Sequence, residues 1–157
     1  VPEEKIERRH PIVQASGYIP HDFAPDDYDK ISLYQQIDAI VSQEELDGFK
    51  AEVVDQYGRL PAEVSTLFDK KQLELLINDP SIQSYREIRG QSEVTFSPEF
   101  SQHVDGVKLF EIFSEVSRDI GLRYTNSCII ASLPKQKDSL KVVIEMISRA
   151  KEAIRKS

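Results

Sequence analysis

The stretch SQEELDGFKAEVVDQYGRLP, residues 42–61, carries the clearest fold signal in the chain. Ser42 followed three residues later by Glu45 is a capping box, which begins a helix by satisfying free backbone N–H groups. Apolar residues then recur at helical spacing, and Gly58 ends the pattern, as glycine commonly does at a helix C-terminus. The apolar stripe consists of Leu46, Phe49, Val53 and Tyr57. Because Pro61 suits the first turn of a following helix, the stretch predicts one complete amphipathic helix and the start of another.

Helical spacing continues on both sides of this stretch. A first helix is predicted over about 26–41, with aspartates in its first turn, where the helix dipole favours anions. A third helix is predicted from Pro61 to the stop at 78–80. Before the helices, PIVQASGYI at 11–19 contains β-type residues and predicts a strand. Residues 1–10 are charged without a clear period and predict a linker.

The hydrophobic period changes in the second half of the chain. Two short segments around Gly90 have the pattern of a β-hairpin, and helical spacing returns in two later segments. The predicted elements are strands at 84–89 and 93–96, a helix at 107–120, a strand at 122–133 and a helix at 135–156. The whole order, an N-terminal strand and three-helix half followed by a ββαβα half, predicts an α+β fold that forms a single compact domain.

Composition places the chain among ordinary globular proteins. Its 157 residues are 39% apolar and 30% charged, which is enough for a packed core in one domain. The net charge of −7 argues against a general nucleic-acid binder, which is usually basic. The one cysteine, Cys128, excludes an internal disulfide and a multi-thiolate zinc site. The sequence has no apolar run long enough for a membrane span and no recognisable signal peptide.

The first residue bears on what kind of chain this is. It is Val1, and the one methionine of the sequence is Met146. Since translation starts with methionine, we expect a fragment or a processed product. Its function is then expected to belong to a larger protein.

Motifs that carry catalysis are missing from the sequence. It contains no phosphate-binding glycine loop, no nucleophile elbow and no zinc-protease motif. The three histidines, His10, His21 and His103, are far apart, and each is expected to be solvated. Cys128 lies in an apolar stretch and is expected to be a buried packing residue. The sequence therefore predicts no catalytic residue, no cofactor site and no metal site.

Acidic residues are concentrated in the helical half. From Asp22 to Asp55 there are ten acidic and two basic residues. Glu52 and Asp55 are three residues apart, so they share a face in the last two turns of the second helix, where the dipole disfavours anions. One interpretation is a tolerated pair of surface acids. The other is a docking face that meets the arginine or lysine side chains of a partner protein.

Four motifs in a fixed order resemble one known family. They are YIP-x-DF-x-PD at 18–26, KISLY at 30–34, S-x-x-EL at 42–46 and EVVDQYG-x-LP at 52–61. Together they resemble the C-terminal domain of the bacterial transcription-repair coupling factors (Mfd). The resemblance covers essentially all of the chain, closely over 11–77 and by the order of elements in the strand-rich half.

This resemblance implies a parent protein that is an ATP-driven DNA translocase. The parent removes RNA polymerase stalled at damaged DNA and recruits the repair protein UvrA. ATP and magnesium then belong to a motor upstream of the linker at 1–10. Residues 11–157 form a cytoplasmic, non-catalytic regulatory domain with no cofactor and no membrane contact.

The resemblance also implies an intramolecular partner. In the family, the C-terminal domain packs against the N-terminal UvrA-binding module of the same protein, masks that surface and restrains the motor. The contact uses acids of the helix that ends in D-x-aromatic-G. Carried over by position, the interface residues are Glu52 and Asp55, with Gln56 beside them.

Three positions depart from the family pattern. The family usually has arginine where this chain has Gln56 and Lys30, and a bulkier aliphatic residue where it has Ala24. Gln56 removes a charge, which either weakens an inter-module ion pair or alters a contact within the domain. Lys30 keeps the charge but loses the bidentate geometry of a guanidinium.

Two other functions remain open from the sequence alone. The chain could be a stand-alone protein-interaction domain of another assembly that uses the same acidic face. It could also be a small hydrolase or nucleic-acid enzyme that uses carboxylates, although the missing metal and nucleophile motifs disfavour this reading.

Overall fold

The fold is α+β, which confirms the predicted class. The computed structural model describes residues 17–135 and 139–155, without the side chains of residues 154 and 155. Its helices are α1 (Asp27–Asp38), α2 (Gln43–Tyr57), α3 (Ala62–Ile77), α4 (Pro98–His103), α5 (Gly106–Val116) and α6 (Ser139–Arg155). Its strands are β1 (Ile82–Ile88), β2 (Gln91–Phe96), β3 (Gly121–Thr125) and β4 (Cys128–Pro134).

The described chain contains two compact units. Within the predicted single domain at 11–157, contacts group the described residues into two units that divide near Leu75. The part within 14–75 is called the helical unit, and the part from Leu76 onward is called the sheet unit. The predicted linker at 1–10 lies outside the described residues.

Helix α2 has the start and end that the sequence predicts. Ser42 accepts a hydrogen bond from the Glu45 N–H at 3.1 Å, and the Glu45 carboxylate accepts one from the Val41 N–H at 3.1 Å. Gly58, with φ of 92°, ends the helix in a conformation that side chains disfavour. Its N–H donates to the Val54 carbonyl at 2.8 Å. Local sequence alone therefore determines both ends of this helix.

The helical unit has its own apolar core. Two ring pairs tie its elements together: Phe23 stacks on Tyr57 with centroids 5.1 Å apart, and Phe49 lies 6.1 Å from Phe68. The buried residues of this core are Ile19, Ala24, Leu33, Ile37, Ile40, Leu46, Val53, Val64 and Phe68. Because Ala24 is 1% exposed, the departure from the family pattern at this position affects internal packing.

The predicted strand at 11–19 is wrong in its described part. Residues 11–16 lie outside the described chain, and residues 17–19 belong to no strand. Their backbone is bonded to helices instead: the Tyr18 N–H donates to the Glu63 carbonyl at 3.2 Å, and the Ile19 N–H donates to the Tyr34 Oη at 2.8 Å. The pattern of apolar and polar residues does not show whether a backbone N–H is bonded to a neighbouring strand or to a helix.

Two glycines of the helical unit offer a matched test of this packing. A Cβ at Gly17 would lie 2.8 Å from the Leu67 backbone nitrogen, whereas a Cβ at Gly48 in α2 would meet no atom within 4 Å. We expect Gly17→Ala to lower the free energy of unfolding by about 1–3 kcal/mol through overpacking. Gly48→Ala should raise it by up to about 1 kcal/mol through helix propensity. Urea denaturation measures both, and equal stabilities would contradict the close approach of residue 17 to α3.

The sheet unit is built on a four-stranded antiparallel sheet in the order β1-β2-β4-β3. The predicted hairpin around Gly90 is confirmed, and its turn residues Arg89 and Gly90 have φ of 55° and 72°. In β2, residues Ser92, Val94 and Phe96 are buried, while the residues between them are more exposed. One face of the sheet therefore packs in the core.

Several predictions for this half are wrong in detail. The segment at 122–133, predicted as one strand, is the hairpin of β3 and β4, turned at Asn126 and Ser127, both with positive φ. The turn lacks glycine, which is the usual signal for this conformation. Helix α4 was not predicted, because six residues are too few to show a helical period. The predicted ββαβα order is thus ββααββα.

The helices of the sheet unit pack on the buried side of the sheet. Phe96 of β2 stacks on Phe100 of α4 and on Phe113 of α5, with centroids 4.8 Å and 6.2 Å apart. Helix α6 buries Val143, Met146, Ile147 and Ala150. The predicted helix at 107–120 ends earlier, at Val116, where Ser117 takes an extended conformation.

An ion pair joins α6 to the turn that precedes β1. The Lys151 Nζ lies 3.0 Å from Asp79 Oδ2. The N–H and hydroxyl of Ser81 also donate to Asp79 Oδ1, at 2.9 Å and 2.7 Å. Partial burial raises the pKa of Asp79, but the Ser81 hydrogen bonds and Lys151 outweigh it and hold this pKa below its usual value.

This pairing predicts how the stability of the protein depends on pH. A depressed pKa contributes stability that is present above the unfolded-state value and lost as the pH falls through the folded-state value. At pH 7 we expect Asp79→Asn to lower the free energy of unfolding by about 1 kcal/mol. The difference from wild type should shrink between about pH 5 and 2. Urea denaturation at several pH values tests this, and a difference that is independent of pH would contradict it.

Candidate interaction surface

The acidic pair of α2 lies on the surface of the helical unit. Glu52 and Asp55 are both exposed, in the last two turns of the helix. Within the described ranges, neither carboxylate forms a hydrogen bond or an ion pair. The last turn of α2 also contains no basic residue. The two acids thus remain unpaired at the helix end where the dipole disfavours anions.

A groove between α1 and α2 lies beside this pair. Its apolar lining is Leu33, Phe49 and Val53, and it ends against the ring of Tyr57. Its polar lining consists of Asp29, Ser32, Gln36, Glu52 and Gln56. The groove continues along the two helices past Ala39, Ile40, Glu45 and Gly48. A mainly polar lining with acceptor oxygens, beside a smaller apolar part, suits a side chain that has an aliphatic stem and a cationic end.

The three predicted interface residues do not all lie in the groove. Glu52 and Gln56, four residues apart, line the groove, whereas Asp55 is exposed outside its lining. Gln56 is exposed and has no hydrogen bond to a residue of the described chain. Both alternatives for this departure, a weaker inter-module ion pair and an altered contact within the domain, therefore stay predictions.

Helix α1 contributes groove residues that were not predicted from the sequence. Asp29, Ser32 and Gln36 lie at helical spacing on one side of α1. Their spacing could have been recognised as a polar stripe, but the sequence does not reveal which stripe faces α2. Lys30 does not extend this surface, since its Nζ lies 3.9 Å from Asp27 in a local pair.

The local electrostatics of the groove are negative. Burial raises the pKa of Tyr57, and the charges of Asp29 and Asp26 raise it further. Both aspartates belong to the start of α1, where Asp26 also caps the helix through the Tyr28 N–H at 2.8 Å. The acids that raise the pKa of Tyr57 therefore come from the start of α1.

The described residues offer little to a catalytic or metal-binding interpretation. His21 is exposed, His103 Nδ1 lies 2.7 Å from the Glu99 carbonyl oxygen, and His10 lies outside the described ranges. Cys128 is buried, as predicted, and its thiol donates a hydrogen bond to Gln83 Oε1 at 3.6 Å. Within 17–135 and 139–155, no three His, Cys, Asp or Glu side chains come close enough together to hold a metal ion. The helices of the same ranges include none with the length and apolar character of a membrane span.

Comparison with known proteins identifies the family. The family model named TRCF domain matches residues 13–107, which include α1, α2 and the groove between them. The chain belongs to the TRCF domain family.

Relatives of this TRCF domain include several transcription-repair-coupling factors. The one from Bacillus subtilis is 29% identical over 110 residues, which is 70% of this chain and 9% of that protein. The one from Rickettsia prowazekii is 36% identical over 61 residues, which is 39% of this chain and 5% of that protein. The chain therefore spans about a tenth or less of the length of these relatives.

A solved structure shares the fold of this TRCF domain. It is the crystal structure of the C-terminal domain of a transcription-repair coupling factor, with a TM-score of 0.69 and 16% sequence identity. The match covers 93% of each chain. The family model ends at residue 107, within the sheet unit, and the structural likeness covers most of the remaining chain as well.

The unpaired acids predict a stability difference between the two ends of α2. Glu52→Ala with Asp55→Ala should leave the free energy of unfolding unchanged or raise it slightly, because it removes anions from the helix C-terminal end. Glu44→Ala with Asp47→Ala, at the same spacing in the first half of α2, is the matched control. It removes an anion of the first turn and one of the following turn, where Asp47 accepts a hydrogen bond from Gln43 Nε2 at 2.9 Å. We expect the first double variant to be more stable than the second by about 1 kcal/mol in urea denaturation.

A large loss of stability in the Glu52 and Asp55 double variant would contradict this placement. It would mean that the two carboxylates stabilise the helical unit internally and are not free to meet a partner.

Proposed function

We propose that this chain is the non-catalytic, regulatory C-terminal domain of a bacterial transcription-repair coupling factor. The parent protein, on this proposal, is a cytoplasmic ATP-dependent DNA translocase that removes stalled RNA polymerase and recruits UvrA for nucleotide excision repair. ATP and magnesium act in its motor, upstream of this chain. Membership of the TRCF domain family and the names of its relatives support the role in transcription-repair coupling.

The regulatory part of the proposal depends on one observation: Glu52 and Asp55 are exposed and unpaired within the described chain. Their helix begins with acids that suit its dipole and ends with acids that do not. Internal stability does not account for anions at that end. A basic surface on the N-terminal UvrA-binding module of the same protein would account for them, because docking supplies the missing counter-charges.

The groove beside Glu52 also provides a site whose shape fits a basic side chain. A lysine or arginine of the module could lie along Leu33, Phe49 and Val53 and reach Glu52 at the rim. Desolvated charge pairs of this kind influence dissociation rate and specificity more than exposed ones. Asp55, outside the groove, would meet a second basic group.

A contact inside one polypeptide need not be strong. A tether between two modules gives an effective concentration that is often millimolar. A weak interface is then mostly closed, and it opens when a partner such as RNA polymerase favours the open state by a comparable free energy. Such a contact can mask the UvrA-binding surface and restrain the motor until polymerase engages.

The proposal predicts the effect of removing the acids in the full-length protein. Glu52→Ala with Asp55→Ala should raise UvrA binding, or ATP hydrolysis in the absence of polymerase, by roughly tenfold. This corresponds to a loss of about 1.4 kcal/mol from the closed state. UvrA pull-down and steady-state ATPase assays measure the two outputs. Circular dichroism would verify that the variant is folded.

The matched control is Glu44→Ala with Asp47→Ala, which removes the same charges from the other end of α2. It should leave both outputs within about twofold of wild type. If the two double variants behave alike, or if neither output rises for Glu52 and Asp55, the autoinhibitory role is wrong. Salt-sensitive association of the separated chain with the UvrA-binding module would distinguish this lock from an interaction domain of another assembly.

A further inference from the structure

A second charged surface lies on the sheet unit, remote in sequence from the acidic pair. Glu93, at the centre of strand β2, is flanked by two arginines from other strands. Arg86 Nη2 of β1 lies 2.9 Å from Glu93 Oε1, and Arg123 Nη2 of β3 lies 3.3 Å from Glu93 Oε2. A cleft at this place is lined by Arg86, Ile88, Arg89, Gln91, Glu93 and Arg123.

The cleft carries more positive than negative charge. It has three guanidinium groups and one carboxylate. The side chain of Glu93 is only 12% exposed, whereas those of Arg86 and Arg123 are 61% and 49% exposed. The central acid is therefore already engaged, while both arginines present much of their surface to solvent.

Both arginines also have guanidinium N–H groups that are not bonded to Glu93. A guanidinium has five N–H groups in a planar fork. Arg86 and Arg123 each use Nη2 for Glu93, and neither is hydrogen-bonded to another residue of the described chain. The remaining N–H groups can donate to a second carboxylate in the bidentate geometry that arginine favours.

The turn between β1 and β2 adds a third cation, Arg89, whose backbone has an unfavourable conformation. Arg89 has φ of 55°, a region that asparagine and glycine occupy more readily than arginine. It is exposed and lines the same cleft as Arg86. Residues held in unfavourable backbone conformations occur more often at functional sites than elsewhere.

We propose that the Arg86–Arg123 cleft binds an acidic segment of a partner protein, whose carboxylates pair with the guanidinium groups that flank Glu93. The segment would cross the sheet from Arg123 on β3, over β4 and β2, toward Arg86 and Arg89. The exposed Ile88 side chain, 39% exposed at the rim, offers an apolar contact between the charges.

The chemistry of the cleft favours a protein segment over a nucleic acid. Glu93 lies at its centre and repels a continuous phosphate backbone. The outward-facing positions of the four strands, which follow from the strand register, contain no aromatic side chain on which a base could stack. Isolated carboxylates with gaps between them fit this arrangement of charges better.

Two variants with opposite effects test the cleft on the 157-residue chain. The probe is a short fluorescein-labelled peptide of alternating glutamate and serine, followed by fluorescence anisotropy at low salt. Arg86→Gln with Arg123→Gln should weaken binding about tenfold or more, through loss of the charge-assisted contacts. Glu93→Gln should strengthen binding about threefold, because it frees both guanidinium groups. Since unfolding cannot produce tighter binding, this second variant keeps the test valid if the first is unstable.

Matched controls change the same charges elsewhere on the sheet unit. Lys108→Gln with Arg118→Gln removes two exposed cations, and Glu111→Gln removes one exposed acid. Each should shift the peptide affinity by less than about twofold. A single-stranded oligothymidylate of similar charge and inorganic phosphate serve as competitors, and each should displace the peptide poorly.

Three outcomes would overturn the proposal. The first is the absence of saturable peptide binding. The second is a control whose affinity shifts as much as that of its cleft variant, which would indicate non-specific charge attraction. The third is oligonucleotide binding that is tighter than peptide binding and responds to the same cleft variants, which would assign the surface to nucleic acid.

Discussion

The burial of one stripe of α2 is the constraint on which the candidate interaction surface depends. Leu46 and Val53 are buried in the core of the helical unit, and Phe49 packs against Phe68. A helix that buries this stripe must turn its remaining faces outward. Glu52 and Asp55 are exposed for this reason, and the same packing forms the groove beside them. Core and interaction surface are thus two sides of one helix.

The charges of the two units are arranged differently. In the helical unit, the acids of α2 have no counter-charge among the described residues, whereas in the sheet unit Glu93 lies between two arginines. An exposed unpaired acid retains its hydration and can exchange water for a basic partner. A carboxylate shared by two guanidinium groups holds them in place while leaving some of their donors available. The surface of the helical unit therefore suits a basic partner, and that of the sheet unit suits an acidic one.

Local sequence predicted the helical unit better than the sheet unit. Helix α2 was predictable because the Ser42–Glu45 cap, the apolar stripe and Gly58 are local features that agree with one another. The β3–β4 hairpin was not, since Asn126 and Ser127 adopt positive φ without a glycine to signal it. Helix α4 is too short to show a period. The segment at 17–19 looked like a strand, but its backbone partners belong to Glu63 and Tyr34, which are distant in sequence.

By itself, the sequence determined the α+β class, the ends of α2, the family and the presence of Glu52 and Asp55 on one helical face. These properties follow from periodicity, capping and the order of motifs, all of which act over a few residues. Tertiary structure decided that Glu52 and Gln56 share a groove with Asp29 while Asp55 does not. It also decided that Arg86 and Arg123, distant in sequence, meet at Glu93. Such neighbours depend on helix packing and strand order, which arise from the burial of many side chains together and leave no local pattern.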